Sequence, residues 1–381
     1  MIFISSSLTA QTQPQVIATG IQQPEGPVWI DTLGLLFSDI KGNTIYLWTS
    51  SSGKAVPYIK PSDSSNGLTL DNQGRLIICQ MEKRRVARRE YDGTITSLAS
   101  TFRNKKFNSP NDVVVKFSGS IFFTDPDFNV PLGQKVELPF KGVYRISTDG
   151  NVQLLDSTFD KPNGICFSPD EKKLYVNESP KGQIYEWDVL NDSTITNKNL
   201  LYTIPAGGYA DGMKTDPEGN IYCTGPTGVW VVSPDGKYLG RIAIPGSPSN
   251  CTWGDEDRKT LYITGGSSVY KVRPEITGVG DSKKKVETLN KFILYNNYPN
   301  PFNPSTKIKY SIAGGGTSLM KSVQLKVFDI IGNEIRVLVN EEKSAGEYEV
   351  EFKATDLSSG IYFYQLRVND FVQTKNMLLI K

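Results

Sequence analysis

The chain has 381 residues, enough for two domains, with 42 lysines and arginines against 40 acidic residues. A net charge of +2 gives no field for nucleic acid or an anionic membrane surface. Histidine is absent, which excludes Ser-His-Asp and Cys-His triads, HExxH zinc sites and any histidine general base. Chemistry must therefore run on carboxylates, amides, hydroxyls or a metal held by oxygen ligands.

Residues 1–13 are short, apolar and uncharged, and read as a signal-peptide remnant lacking its basic n-region; a disordered terminus is the alternative. No stretch reaches the roughly 18 apolar residues needed to cross a bilayer. From there one pattern recurs six times: a polar residue, a small or apolar stretch, a turn with Asp or Gly, then alternating strand residues. The copies begin at Glu25, Asn66, Asn111, Asn163, Asp211 and Asn250, at intervals of 41, 45, 52, 48 and 39 residues. A period near 40–50 built from short strands is the signature of propeller blades. Asp-x-x-Gly supplies the turns, and Ile/Leu/Val/Phe/Tyr alternation supplies the strands. Further strand pairs, such as 44–48, 142–146 and 182–187, bring each blade to about four strands. The fold expected is all-β: a six-bladed β-propeller over residues 14–275, then a small C-terminal β-sandwich. A propeller must close, and the early strand 15–19 is expected to pair beside 268–272, hiding an edge that would otherwise aggregate.

Cys79, Cys166, Cys223 and Cys251 lie in apolar runs without a CxxC pair and read as small buried hydrophobes, with a disulfide as the alternative. The basic run Lys83, Arg84, Arg85, Arg88 and Arg89, bracketed by Glu82 and Glu90, reads as a solvated strand-and-turn surface.

The first residue of each copy is never apolar. Equivalent blade positions lie at one level around the axis, so six carboxylate or amide oxygens are expected to converge at one channel mouth. The bland reading is that Asn and Asp merely start turns. Against it, each repeat already has a separate turn, and Glu25 is a poor turn residue. Convergent hard oxygens suit calcium, magnesium or manganese.

These residues resemble the senescence marker protein/gluconolactonase/luciferin-regenerating-enzyme family, from about residue 23 to 273. The resemblance is carried by Pro24-Glu-Gly-Pro-Val-Trp29, Leu36-Phe-Ser-Asp39, Asn66-Gly-Leu-Thr69, Asn108-Ser-Pro-Asn-Asp-Val113 and Phe123-Thr-Asp-Pro126. It continues through Pro162-Asn-Gly164, Phe167-Ser-Pro-Asp170, Asp211-Gly-Met213 and Cys223-Thr-Gly-Pro226. It implies one divalent cation, calcium foremost with magnesium, manganese or zinc as alternatives, held by Glu25, Asn163 and Asp211. Asp211 would also be the catalytic acid/base, Asn111 would contact substrate or reach the metal, and Asn66 and Asn250, on the same ring, would contact substrate. Thr124-Asp125 would either line the pocket or turn the blade. Gln80-Met81, Ser109 and Asp125-Pro-Asp-Phe-Asn129 depart from the family's usual residues on the substrate side. The activity implied is metal-dependent hydrolysis of a sugar lactone. The alternative is a non-catalytic secreted propeller binding sugars or cell-wall fragments through its metal-bearing channel, since propellers host both.

After Pro274 the texture changes. Residues 276–291, with Lys283-Lys-Lys285, read as an exposed linker. Alternating strands follow at 308–312, 323–329, 347–353, 361–368 and 375–380, and about seven in some 90 residues suit a sandwich. Asn297-Tyr-Pro-Asn-Pro-Phe-Asn-Pro-Ser-Thr306, Val327-Phe-Asp-Ile-Ile-Gly332 and Leu357-Ser-Ser-Gly-Ile-Tyr-Phe-Tyr364 make residues 292–381 resemble the C-terminal sorting domain of type IX secretion cargo. This implies the type IX secretion machinery as partner, and a secreted or cell-surface location in a Gram-negative bacterium, reached via the periplasm.

Overall fold

Leu35, Leu36 and Phe37 are consecutive, and all three are fully buried. A strand achieves that only when both of its faces are covered. In this computed structural model, Leu36 packs with Val28, Ile45, Leu68, Leu76 and Ile78 on one side. Leu35 and Phe37 pack with Trp48, Tyr262 and Val269 on the other. The structure describes residues 13–205, 208–274, 292–295, 297, 300–312, 321–344, 346–369 and 371–381. The expected signal remnant (but for residue 13) and the expected linker lie outside the described residues. The chain divides into two compact units, Met1–Thr277 and Gly278–Lys381.

The first unit is six four-stranded antiparallel sheets and a short two-stranded one, Thr101–Phe102 with Lys105–Lys106. Blade one is Pro24–Ile30, Gly34–Asp39, Thr44–Trp48 and Ala55–Ile59. Blade two is Ser65–Leu70, Leu76–Gln80, Arg85–Arg89 and Ile95–Ala99. Blade three is Val113–Val115, Ile121–Asp125, Gly142–Ile146 and Val152–Asp156. Blade four is Pro162–Phe167, Lys173–Glu178, Gln183–Asn191 and Thr194–Thr203. Blade five is Met213–Thr215, Ile221–Gly225, Gly228–Val232 and Tyr238–Ala243. Blade six is Pro248–Gly254, Thr260–Gly265 and Ser268–Val272, completed by Gln15–Thr19 from the other end of the unit. That last strand pairs antiparallel with Ser268–Val272, Val16 opposite Tyr270 and Thr19 opposite Ser268, so the ring closes.

Each first strand packs against the first strands of both neighbouring blades, and the sixth against the first. The six therefore surround a central channel. The core is a set of apolar wedges, one at each blade interface, such as Ile77 and Cys79 against Val113 and Phe123, or Cys166 and Ile184 against Met213 and Ile221. All four cysteines are free and buried in these wedges, as packing residues. The basic run is not a solvated surface throughout. Arg84 is only 2% exposed, and its guanidinium donates to the Phe107 carbonyl at 2.5 Å and the Lys135 carbonyl at 3.1 Å. Its backbone adopts a positive φ of 53°.

The second unit is a three-stranded sheet, Ile293–Leu294, Ser305–Ile312 and Gly346–Lys353, and a four-stranded one. The latter orders Glu334–Lys343, Lys321–Phe328, Gly360–Val368 and Phe371–Leu379. Leu294, Ile308 and Tyr310 of the first sheet share one core with Val323, Leu325 and Tyr364 of the second, a small sandwich. Among the described residues no helix is long and apolar enough to cross a membrane.

Closure by Gln15–Thr19 generates a prediction. Removing residues 1–19 leaves Ser268–Val272 as an unpaired edge. Thermal melts should fall by about 4–8 °C for each ~2 kcal/mol of lost pairing, with light scattering that grows with concentration. A truncated chain that melts and scatters like the parent would contradict the closure.

Candidate functional site

The residues that begin the six repeats all lie at or just before the start of a blade's first strand, and the side chains of Glu25, Asn250, Asn163 and Asp211 interact there. In blades one, two, four and six the ladder slips just after or beside that residue, between Glu25 and Val28, Ser65 and Leu68, Pro162 and Ile165, and Pro248 and Asn250. Such bulges bend a strand and re-aim a side chain. Gly26, at φ +46°, sits so close to blade two that a Cβ there would lie 2.1 Å from the Asn66 carbonyl oxygen. A Cβ on Gly212 would lie 2.0 Å from Cγ of Asn250. Only glycine permits this approach.

Each blade holds the ring residue of the next by its backbone, or the residue just before it. Ser38 Oγ donates to the Asn66 carbonyl at 2.7 Å, and the Gly67 N–H to the Asn111 carbonyl at 2.8 Å. Thr124 Oγ1 donates to the Asn163 carbonyl at 2.7 Å and Asn177 Nδ2 to the Asp211 carbonyl at 2.5 Å. The Gly212 N–H donates to the Ser249 carbonyl at 2.7 Å, and Ser249 Oγ to the Pro24 carbonyl at 2.7 Å, returning to blade one. The circuit is complete.

A second device fixes the loops that lead into the ring. Asp39 accepts the N–H groups of Gln22 and Gln23 at 3.1 and 2.9 Å. Asp125 accepts those of Asn108 and Ser109 at 2.8 Å each, and Glu178 those of Asp160 and Lys161 at 2.8 and 2.7 Å. In blade two Gln80 Nε2 reaches the Ser62 carbonyl at 3.1 Å instead. Sequence reasoning missed these clamps. Their signal was the small polar residue followed by an acid at the end of the second strand in blades one, three and four, Ser38-Asp39, Thr124-Asp125 and Asn177-Glu178. Thr124-Asp125, expected to line the pocket or turn the blade, act here as anchors: Thr124 holds the Asn163 backbone and Asp125 clamps the loop before Asn111.

The side chains are buried to different degrees. Glu25 is 7% exposed, Asn66 and Asn250 2%, Asn163 4% and Asn111 6%, while Asp211 is half-buried. The Asn250 amide donates to the Glu25 carboxylate and its Oδ1 accepts the Cys251 N–H at 2.8 Å. The Asn163 amide donates to the Asp211 carboxylate. Asn163 Oδ1 and Asn66 Oδ1, both buried, accept no hydrogen bond from the protein. Desolvation pushes Glu25 up to about 8, with the Asp112 carboxylate adding to the rise. Desolvation, then Glu25 and Asp112, hold Asp211 well above the usual carboxylate range.

Two carboxylates that each disfavour the other's charge, beside an amide oxygen without a donor, are a donor set suited to a hard cation. Glu25, Asn163 and Asp211 fit that description. Among the described residues no three of His, Cys, Asp and Glu form a ligating cluster, so the set depends on its amide.

The class these features define is a six-bladed propeller with an oxygen-lined axial site. Residues 23–267 match the SMP-30/gluconolactonase/LRE-like region, and the chain belongs to that family. Residues 296–381 match the secretion system C-terminal sorting domain. The chain is 33% identical to a gluconolactonase of Zymomonas mobilis over 72% of its own length and 85% of the relative's. It is 26% identical to a pentonolactonase of Haloferax volcanii over 66% and 84%. A solved gluconolactonase structure from Xanthomonas campestris shares 30% identity at TM-score 0.63, covering 70% of this chain and 97% of that one.

The raised carboxylates make stability depend on pH and cation together. A folded-state value near 8 for Glu25, against an ordinary 4.5, means that the folded form keeps a proton that the unfolded form releases. That contribution is fully present below about pH 4.5 and drains as pH rises through 8. In chelator the melting temperature should fall from pH 5 to 8.5, and excess calcium should flatten the fall. Asp125 and Glu171, both pushed to about 7 chiefly by desolvation, add a slope of the same sign that does not respond to cation. The readout is therefore the difference between the two curves. Parallel curves would contradict the assignment.

Proposed function

We propose that the chain hydrolyses a sugar-type lactone at the ring mouth, with one divalent cation held by Glu25, Asn163 and Asp211. The observation that carries the reading is the pair of mutually disfavoured carboxylates beside the donorless Asn163 oxygen. The names of the relatives support the reaction class: gluconolactonase and pentonolactonase. Calcium is the first choice of ion, with magnesium, manganese or zinc as alternatives. When bound, such a cation polarises a carbonyl and stabilises charge that develops on its oxygen.

The remaining work falls to the protein's own groups. Asp211 accepts hydrogen bonds from Asn163 and from the Gly212 N–H, and as a residue it is less buried than Glu25. It takes the proton of an attacking water and returns it to the ring oxygen as the ester C–O bond breaks, yielding the free hydroxy acid. Glu25, deeper and oriented by Asn250, serves as ligand only. Asn250 is thus a positioning residue, and Asn111 and Asn66 are left to meet substrate hydroxyls. The sorting domain supports export through the type IX machinery to the cell surface or medium of a Gram-negative bacterium, via the periplasm.

The test is a pH-drop assay over a panel of sugar lactones, with and without calcium, magnesium, manganese and zinc, followed by two variants. Asp211→Asn should cost about 10²–10⁴ in kcat while changing cation affinity less than Asp211→Ala. Glu25→Gln should weaken cation binding, and excess cation should partly rescue its rate. Parent-like turnover by Asp211→Asn with cation bound would refute the acid/base role. A parent that is stabilised by lactones but hydrolyses none would mark the propeller as a binding module.

A further inference from the structure

Blade three departs from the other five at the ring end. Its second and third strands, Ile121–Asp125 and Gly142–Ile146, are joined by residues 126–141, which hold no regular element. In every other blade the same connection takes two to four residues: 40–43, 81–84, 179–182, 226–227 and 266–267. An irregular loop longer than about 12–15 residues is uncommon in a compact domain and is usually functional. This one leaves from beside the ring, where the Asn111 N–H donates to the Thr124 carbonyl at 2.8 Å.

The loop is tied down on both sides. Toward blade two, Arg84 ends that blade's own short connection, and its Nη1 donates to Gln134 Oε1 at 3.2 Å and to the Lys135 carbonyl at 3.1 Å. Its Nε donates to the Phe107 carbonyl, just ahead of the clamped Asn108-Ser109 pair. Glu137 Oε2 accepts the Lys106 N–H at 2.8 Å, and Leu138, 3% exposed, packs in the wedge between blades two and three. Asn129 Nδ2 lies 3.7 Å from Met81 Sδ. Toward blade four, Lys161, two residues before Asn163, pairs with Asp127 at 3.1 Å and stands 4.8 Å from the centre of the Phe128 ring. Phe128 itself is 37% exposed. The loop therefore runs from blade two to blade four past Asn111 and Asn163. A buried guanidinium is costly, and only its fork reaches acceptors on two segments at once.

We propose that loop 126–141 is a fixed wall of the substrate mouth, that Phe128 on it packs against the C–H face of the sugar ring, and that Arg84 is the positioning residue that holds the wall. The proposal rests on the reading that a sugar-type lactone is hydrolysed at the ring. An aromatic side chain beside a ring of polar oxygens gives a mouth an apolar surface for the substrate's body and polar groups for its hydroxyls. Such a wall binds ground state and transition state alike, so its loss raises KM and spares kcat. Loss of folded protein does the reverse, lowering apparent kcat at an unchanged KM.

The experiment joins steady-state kinetics on gluconolactone with limited trypsin cleavage after Lys135, an exposed residue of the loop, using the full chain. Arg84→Lys keeps the charge but loses the fork. It should raise KM about tenfold with kcat within about threefold of the parent, and cleavage after Lys135 should become about tenfold faster. Phe128→Ala should raise KM about as much while cleavage stays at the parent's rate. A parent-like KM in either variant, or cleavage that Arg84→Lys does not accelerate, would overturn the proposal and leave the lactonase reading standing. Should Arg84→Lys fail to fold, Gln134→Ala combined with Glu137→Ala, both at exposed positions, loosens the same anchor and is judged by the same two readouts. A parent that hydrolyses no lactone removes the reaction beneath the proposal and not the wall. Gluconolactone should then still slow cleavage after Lys135, and absence of that protection would overturn the wall as well.

Discussion

The circuit of hydrogen bonds that runs from blade to blade beneath the ring is the constraint on which the site depends. Each of its links joins one blade to the next, by way of Ser38, Gly67, Thr124, Asn177, Gly212 and Ser249. A link is an ordinary hydrogen bond, worth roughly 0.5–1.5 kcal/mol net. Its consequence is geometric. Because every first strand is pinned to both neighbours, the backbone at 25, 66, 111, 163, 211 and 250 is fixed in one register around the channel. The apolar wedges between blades supply the stability; the circuit supplies the register.

That preorganisation concentrates charge where burial opposes it. Glu25 and Asp211 are drawn from blades one and five, and Asp112 from blade three, onto one axis. Desolvation pushes Glu25 and Asp211 toward the protonated form, Asp112 adds to the rise in each, and Glu25 adds to that of Asp211. Uncompensated buried charge is expensive, and a site that keeps it stores a demand for a partner. Asn163 and Asn250 meet part of that demand with amide N–H groups. The donorless Asn163 oxygen points to the rest being met by a cation.

Much of this was legible in the sequence for physical reasons. A ring of blades repeats one environment six times, so the residues that begin each repeat appear at a regular interval. Closure was legible because Gln15–Thr19 has the alternation of a strand with no partner nearby. The clamps were not, because an Asp at a strand end is equally consistent with a turn until its two N–H partners are seen. Arg84 was misread for a related reason: a run of basic residues does not mark which one turns inward. In the second unit, Glu334–Lys343 was not expected. It is an edge strand, mostly exposed and charged, and so lacks the alternation that marks a half-covered strand.

The central claim is that a single cation sits where Glu25, Asn163 and Asp211 converge. Crystals of the full chain soaked in manganese, with anomalous difference density recorded at the metal's absorption edge, test it most directly. The account expects one strong peak on the channel axis, about 2.1–2.6 Å from oxygens of those three residues. No peak in the channel, or one that touches none of the three, would contradict it.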